Sequence, residues 1–416
     1  MATAARSRDV AIQMKIGVDV SGWINRRAFG RYTRELVRAL VSVDRRNDYW
    51  LFLDAETARS SEDLPPLERA RRVLVETSRP AARAASASGY RSLRDVWRMG
   101  RAVRQHGRGL DLFYFPSLHT VFPLSTQAKV VVTLHDTTAE RHPELIFPTR
   151  RGRLLWTLKT RWALWRADLI FTVSEAAKAD IIRTFGVIEH RVKVVPDAVD
   201  AGFRPLGDRA QTARVLARYG LHGEDRVVLY VGGIAPHKNL ETLIDAYASL
   251  IRGPGPGSAK LVIVGDIQEN VFHSNYPAVR DRVARLGLGG HVVFTGFVPD
   301  PELVHFYNAS EVLVLPSFAE GFGLPALEAM ACGIPVVASR AGALPEVVGD
   351  AGLFFSPHAP LELRDRLQEL LEDQGLREEL ARRGLRRARE FSWERSAQAA
   401  LAAFDALVRD HGPRRA

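Results

Sequence analysis

The chain has 416 residues, 46% hydrophobic and 25% charged, a length comfortable for two domains and the ordinary composition of a soluble globular protein. No apolar run approaches the length that spans a bilayer, residues 1–14 lack a secretory apolar core, and the single cysteine, Cys332, excludes an intramolecular disulfide and a cysteine-based metal cluster. The formal charge of +10 is uneven: residues 1–200 carry 34 Lys+Arg against 22 Asp+Glu, a balance of +12, while the remainder carries 24 against 26.

A cytoplasmic protein is therefore expected, with its first half facing a polyanionic surface. An anionic membrane on the inner face of the plasma membrane fits that half better than nucleic acid, because no zinc-finger, RRM or KH signature accompanies the charge. Cys332, in the apolar stretch AMACGIP, reads as a packed core thiol.

Strand-like runs alternate with helical patterns throughout, which predicts an α/β fold on parallel sheets. In the first half the runs fall at 16–20, 50–53, 73–75, 112–115, 130–134, 169–173 and 192–195. After the first of them Gly30 opens a helix, like half of a phosphate loop. Arg91, Arg94, Arg98 and Arg101 recur at helical spacing, and a second basic helix is expected over 150–166 with Trp156, Trp162 and Trp165. Its stripe of Leu154, Leu158, Trp162 and Trp165 is on frequency more often core packing than a membrane face, but the basic excess of the first half tips the reading toward weak, salt-sensitive adhesion to anionic lipid.

The fifth run ends in Thr133-Leu-His-Asp136, delivering His135 and Asp136 to the edge where open α/β sheets bind ligands. A hinge is expected over 196–207, where Pro205 and Gly207 follow Pro196. It separates residues 1–200 from a second domain at 205–393.

The second half has runs at 227–231, 261–264, 292–295, 312–315, 336–338 and 353–355. The segment Tyr230-Val-Gly-Gly-Ile-Ala-Pro-His-Lys-Asn-Leu240 places Gly233 and Lys238 between a strand and a helix. Only 7 lysines accompany 51 arginines in the chain, and a compact ammonium suits a phosphate that must later leave. Gly253-Pro-Gly-Pro-Gly257 is a loop. A last helix, near 394–416, follows an Arg-rich segment.

Residues 310–357 are the most informative. The run 312–315 passes through a Gly-containing loop into a helix with Pro325 in its first turn and Gly333 and Pro335 at its end. Free amides and the helix dipole there favour a phosphate. Glu320 in the loop and Glu328, placed in the first helical turn, each accept two hydroxyl hydrogen bonds, as the paired hydroxyls of a sugar or ribose require. Gly321 and Gly323 let the backbone approach the ligand. The Glu-x7-Glu spacing recurs at Glu68 and Glu76, so context and not spacing singles out this pair.

Taken together, EGFGLPALEAMACGIPVVAS, GGIAPHKN, FTGFVPDPEL at 294–303, TLHD at 133–136 and TVSE at 172–175 resemble the retaining, nucleotide-sugar-dependent glycosyltransferases of family 4, also called group 1. The resemblance runs from about Lys15 to Phe404. It implies a GT-B fold, in which two Rossmann-like domains face each other across a cleft and the last helix crosses back to the first domain. By motif, Glu320 meets the donor sugar with the backbone of Gly321, Phe322, Gly323 and Leu324 beside it, and Glu328 holds the ribose. Lys238 and Gly233 border the diphosphate, Gly30 approaches it from the other domain, and His135 lies near the reaction centre.

Three departures stand out. Gly233 replaces the arginine of many members, leaving Arg31 or His237 as substitutes for the second cation. Pro196-Asp197-Ala198 replaces Pro-Asn-Gly. The loop 21–29, with Trp23, Arg26 and Arg27, is longer than common.

The expected function is transfer of a hexose, with mannose as the first choice, from a nucleoside diphosphate sugar to a glycan or lipid-linked acceptor. No metal or other cofactor is expected, since no Asp-x-Asp pair occurs. The alternatives are a non-catalytic sugar-nucleotide-binding or membrane scaffold protein, or another GT-B enzyme such as an epimerase or phosphorylase.

Overall fold

The computed structural model describes residues 13–25, 28–61, 63–78, 92–222, 225–253, 259–267 and 274–409. The first sheet contains β1 (Lys15–Asp19), β2 (Asp48–Asp54), β3 (Ala70–Val75), β4 (Leu112–Phe115), β5 (Lys129–Thr133), β6 (Leu169–Thr172) and β7 (Val192–Val194), in the order β3-β2-β1-β4-β5-β6-β7. The second contains β8 (Arg226–Val231), β9 (Ala259–Val264), β10 (Val292–Gly296), β11 (Val312–Leu315), β12 (Val336–Ser339) and β13 (Gly352–Phe355), in the order β10-β9-β8-β11-β12-β13. All pairings are parallel; Leu313 of β11, for instance, lies between Leu229 and Val336.

Each expected run falls on one of these strands. The central strands β4 and β11 are buried at every residue, as strands covered on both faces must be, and so read as unbroken apolar runs. Edge strand β3 buries Ala70, Val73 and Val75 and leaves Arg71 and Leu74 exposed.

Strand order reverses between β1 and β4 and again between β8 and β11. Loops leaving the C-terminal ends at such a reversal form a crevice for ligands. One crevice per sheet results, and the two face each other.

On one side of the first sheet, the helices Leu93–His106, Arg150–Arg166 and Glu175–Phe185 add Met99, Val103, Ala163, Leu164 and Ile181 to a core with Phe113 and Val132. On the other, the helix Ala28–Val43 packs with the C-terminal helix Trp393–Arg409. Phe404 of that last helix is fully buried, stacks on Phe171 with ring centroids 5.4 Å apart and meets Tyr114 edge-on at 5.5 Å. This core continues into the second domain through Phe203, Tyr307, Leu313 and Met330. The crossing-back helix is thus present, beginning at Trp393; residues 410–416 lie outside the described residues.

The core-packing reading of the 150–166 stripe holds only for Trp162, which is partly buried against the core. Leu154, Leu158 and Trp165 are 60%, 57% and 77% exposed, and the helix buries Thr160, Ala163 and Leu164 instead. Two small or polar side chains let it lie close to the sheet, which turns Leu154, Leu158 and Trp165 outward while Trp156 and Trp162 stay partly buried against the core. Cys332 is buried in the core, and burial pushes its thiol up to about 12.

Candidate active site

The loops after β8 and β11 build one wall of the cleft. After β8 the chain makes a 3-10 turn, Pro236–Lys238, which Asn239 ends in the left-handed conformation (φ 56°) just before the helix Leu240–Arg252. The buried Asn239 amide donates to the carbonyls of Pro316 (2.9 Å) and Pro357 (2.7 Å). That tie fixes Lys238 beside the β11 loop, where its Nζ lies 2.7 Å from Glu320 Oε1. Ser317 Oγ donates to the same oxygen at 2.6 Å. Burial pushes the Glu320 carboxyl up, but the Lys238 ammonium and the Ser317 hydroxyl outweigh it and hold the group below its usual range.

The loop backbone is equally constrained. Ala343 N–H donates to the Glu320 carbonyl (3.0 Å), and a Cβ on Gly342, at φ 56°, would fall 2.3 Å from that oxygen. Gly323, at φ 95°, precedes the helix Leu324–Ala331, whose first turn holds Pro325. Phe322 sends its ring into the core against Phe391, 5.6 Å away, and Leu324 is also buried. Only the backbone of Phe322 and Leu324 is left for a ligand.

His135 and Asp136 follow β5 on the opposite wall. A Cβ on Gly321 would lie 2.5 Å from the His135 carbonyl oxygen, so the absence of a side chain there allows the two domains to touch. Two more ties close this end. Ser174 Oγ donates to the Gly321 carbonyl at 2.7 Å. The Glu346 carboxylate accepts from the backbone N–H groups of Glu175 and Ala176, both at 2.9 Å, and so caps a helix of the other domain.

His135 hydrogen-bonds the Pro116 carbonyl, and its Nε2 is buried with no hydrogen-bond partner. The proton therefore sits on Nδ1 and a lone pair remains on Nε2. Burial pushes the imidazole down to about 4, against the pull of Asp136. His237 is also pushed down to about 4, by burial and then by Lys238. Both rings are neutral near pH 7, so His237 does not supply the second cation.

Nor is Arg31 uncommitted. It reaches across the cleft to pair with Glu328 and donates to both carboxylate oxygens of Asp300 at 2.7 Å. Glu328 lies in the second turn of its helix rather than the first, 2% exposed, and Tyr307 Oη donates to its Oε2 at 2.6 Å. Burial raises the Glu328 carboxyl, with Arg31 and Tyr307 partly offsetting it. Burial likewise pushes nearby Asp197 up to about 7, with Arg31 opposing.

The structure brings His135, Lys238, Glu320 and Gly321 to one place and puts Glu328 at a second point of the cleft. Gly233 is open to solvent on its side-chain side, whereas a Cβ on Gly30 would lie 2.1 Å from the Asn25 carbonyl oxygen. Its own preceding loop thus accounts for the glycine at position 30. Arg26, Arg27 and Arg91 lie outside the described residues. Asp300 and Tyr307 were not singled out from sequence, although seven residues on one helix put them on one face. Ser174 and Glu346 carry no local signal of their role.

Between the walls lies a cavity of about 180 Å³. His135, Asp136, His237, Lys238 and Glu320 give it a polar side, and Trp156 of the first domain faces it.

A model of the glycosyl transferases group 1 matches residues 213–387, and one of glycosyltransferase family 4 matches residues 29–203. The O-antigen chain mannosyltransferase B of Escherichia coli is 34% identical over 284 residues, covering 67% of this chain and 71% of that protein. A D-inositol 3-phosphate glycosyltransferase of Acidothermus cellulolyticus is 37% identical over 249 residues, 58% of this chain and 54% of that protein. Serotype-specific mannosyltransferase WbdA of Escherichia coli is 33% identical over 249 residues, and the chain spans only 29% of its length. Among solved structures, sucrose-phosphate synthase from Thermosynechococcus elongatus superposes with a TM-score of 0.76 at 20% identity, covering 96% of this chain and all of that one. Anabaena HepE, solved with UDP and glucose, gives 0.71 at 20% identity over 95% of this chain and all of its own. Two parallel sheets with facing crevices, a last helix returned to the first domain and matches on either side of the hinge agree on one assignment: the chain belongs to the group 1, family 4 glycosyltransferases and has the GT-B fold.

Proposed function

We propose that the chain moves mannose from a GDP-linked donor to a glycan or lipid-linked acceptor, with retention of configuration and without a bound metal. The observation that carries this reading is the Lys238–Glu320 pair at the C-terminal ends of β8 and β11, across from a neutral His135. The mannosyltransferase relatives favour the hexose, and the neighbour solved with UDP and glucose favours a nucleotide-sugar donor.

In this reading Lys238 and the amides opening the helix Leu324–Ala331 stabilise the leaving diphosphate. Glu320 accepts hydrogen bonds from donor hydroxyls, and His135 Nε2 accepts one more. Glu328 holds the ribose diol with lone pairs that Arg31 and Tyr307 leave over. The acceptor oxygen attacks on the face the diphosphate departs from and passes its proton to the donor phosphate, so neither histidine needs to titrate.

The test is transfer from GDP-mannose to a mannose-terminated oligosaccharide in excess EDTA, with the product anomer read by NMR. An α-linked product from the α-linked donor is expected, with no activity in Glu320→Ala. An inverted product or strict divalent-metal dependence would overturn the mechanism.

The first domain is proposed to rest on anionic membrane. Trp97, Leu154, Leu158 and Trp165 are exposed on two helices that share one side of the sheet. The helix Arg150–Arg166 contains no acidic residue, and Asp95 of the helix Leu93–His106 is buried. Exposed tryptophan and leucine ringed by arginine suit a headgroup boundary.

A further inference from the structure

The cavity between the domains has a second, chemically different wall. Leu118, Ile146, Phe147 and Trp156 line it on the first-domain side, opposite Lys238 and Glu320. The Trp156 indole N–H donates to Glu140 Oε1 at 2.8 Å, so the polar tip of the ring is already satisfied. Burial pushes Glu140 up to about 7, with the indole bond opposing, and its Oε2 is buried without a partner. A side chain fixed at its polar end offers the cavity a flat apolar surface. His119, 5.2 Å from Trp156 between ring centroids, is itself stacked on Phe29 at 4.7 Å, so the neighbouring rings are braced as well.

The charges around the cavity point the same way. Lys238 is the one Lys or Arg lining it among the described residues, and it is paired with Glu320. His135 and His237 are neutral, and Asp136 adds a carboxylate. Lys159, 5.9 Å from the Trp156 ring centre, donates to the His119 carbonyl at 2.7 Å. A donor diphosphate would claim Lys238 completely. An acceptor carrying its own phosphate near the reacting hydroxyl would then meet carboxylates and an apolar wall.

We propose that this aromatic wall is the acceptor subsite and takes the apolar face of a neutral terminal pyranose, with Trp156 as the stacking platform, in preference to a phosphorylated cyclitol. Pyranose C–H groups pack on the ring while outward hydroxyls reach Asp136. Specificity then comes from a stacking surface together with the lack of a second, unpaired cation, since Arg141, in the adjoining hollow that shares Asp136 and Glu320, is already paired with Asp180. The proposal rests on the nucleotide-sugar reading above. It also separates this chain from its inositol-phosphate-using relatives, which it resembles over 54% of their length in the case quoted.

The test uses the full chain with GDP present and two probes, methyl α-D-mannopyranoside and D-inositol 3-phosphate, followed by saturation-transfer NMR. Saturation is expected on the mannoside ring protons, absent in Trp156→Ala and retained in Trp156→Phe, with none on the inositol phosphate. In transfer assays Trp156→Ala should raise the acceptor KM about tenfold, while the donor KM moves less than twofold. Equal mannoside binding by Trp156→Ala, no mannoside binding by the wild type, or preferential binding of the inositol phosphate would each overturn the proposal. Failure of GDP itself to bind would instead overturn the nucleotide-sugar reading.

Discussion

Lys238 and Glu320 form an ion pair that serves stability and, in the proposed mechanism, donor binding; a double-mutant cycle separates the two. Lys238→Met removes the ammonium 2.7 Å from Glu320 Oε1 and leaves the carboxylate, whose side chain is 13% exposed, with Ser317 as its remaining donor. The cost should lie between the loss of one charge-assisted hydrogen bond and the orphaning of a fully buried charge, roughly 2–3 kcal/mol. For a domain of this size that is about 4–12 °C in Tm. Glu320→Gln should cost less, because the stranded Lys238 side chain is 22% exposed and can rehydrate. In the double variant no charge is stranded, and about 1.5–3 kcal/mol of coupling should be recovered. Transfer should be lost in all three variants, since restoring stability restores neither group to the donor. Urea unfolding and a GDP-mannose transfer assay read the two outcomes. A double variant no more stable than Lys238→Met would mean that something other than Lys238 compensates Glu320; transfer by the stabilised double variant would remove the pair from the chemistry.

Gly321→Ala places a methyl group against the His135 carbonyl oxygen; transfer should fall at least tenfold while circular dichroism is unchanged and small-angle scattering registers an opened cleft, and an unchanged transfer rate would show that domain contact there is dispensable. His135 and His237, lowered from 6.5 to about 4, contribute stability that is present above pH 6.5 and lost as pH falls toward 4. Glu140 and Asp197, raised to about 7, contribute stability that is present below about pH 4 and lost as pH rises through 7. The opposed pairs should leave the wild type nearly flat between pH 4.5 and 6.5, and Glu140→Gln with Asp197→Asn should expose a rise with pH of up to about 1.4 kcal/mol per unit for each histidine; equal urea-midpoint slopes would contradict the assignment. Sedimentation with phosphatidylglycerol vesicles at low salt should be lost at high salt and weakened in Trp165→Ala/Leu158→Ser; protein left in the supernatant at low salt would refute membrane docking.

The strands were legible because a parallel strand buried on both faces is an uninterrupted apolar word, as in Val312–Leu315. The second-domain wall was legible for a related reason: Glu320, Gly321 and Gly323 belong to one loop, so their chemistry is adjacent in the chain. What stayed hidden depends on approach between distant segments. Arg31 and Glu328 are 297 positions apart, and no local pattern says that the cation meant for a phosphate will rest on the carboxylate meant for a ribose. Gly30 is ambiguous for the converse reason, since a glycine that relieves its own loop looks the same in sequence as one that admits a ligand. The stripe at 154–165 divided, with Trp162 against the core and Leu154, Leu158 and Trp165 outside, because periodicity reports only that a helix has two faces and small residues such as Ala163 determined which one turned inward.

The returning C-terminal helix has a consequence for how the protein is made. Phe404 completes the layer formed by Tyr114 and Phe171, so the first domain leaves the ribosome with an apolar slot that its own residues do not fill. At common elongation rates the roughly 200 residues between Pro196 and Phe404 take on the order of 10–40 s to synthesise. For that interval the nascent first domain has to be shielded or to remain loosely packed, and it locks only when the second domain is finished. A chain cut short before residue 393 would carry every proposed donor-binding residue and still lack a closed first domain.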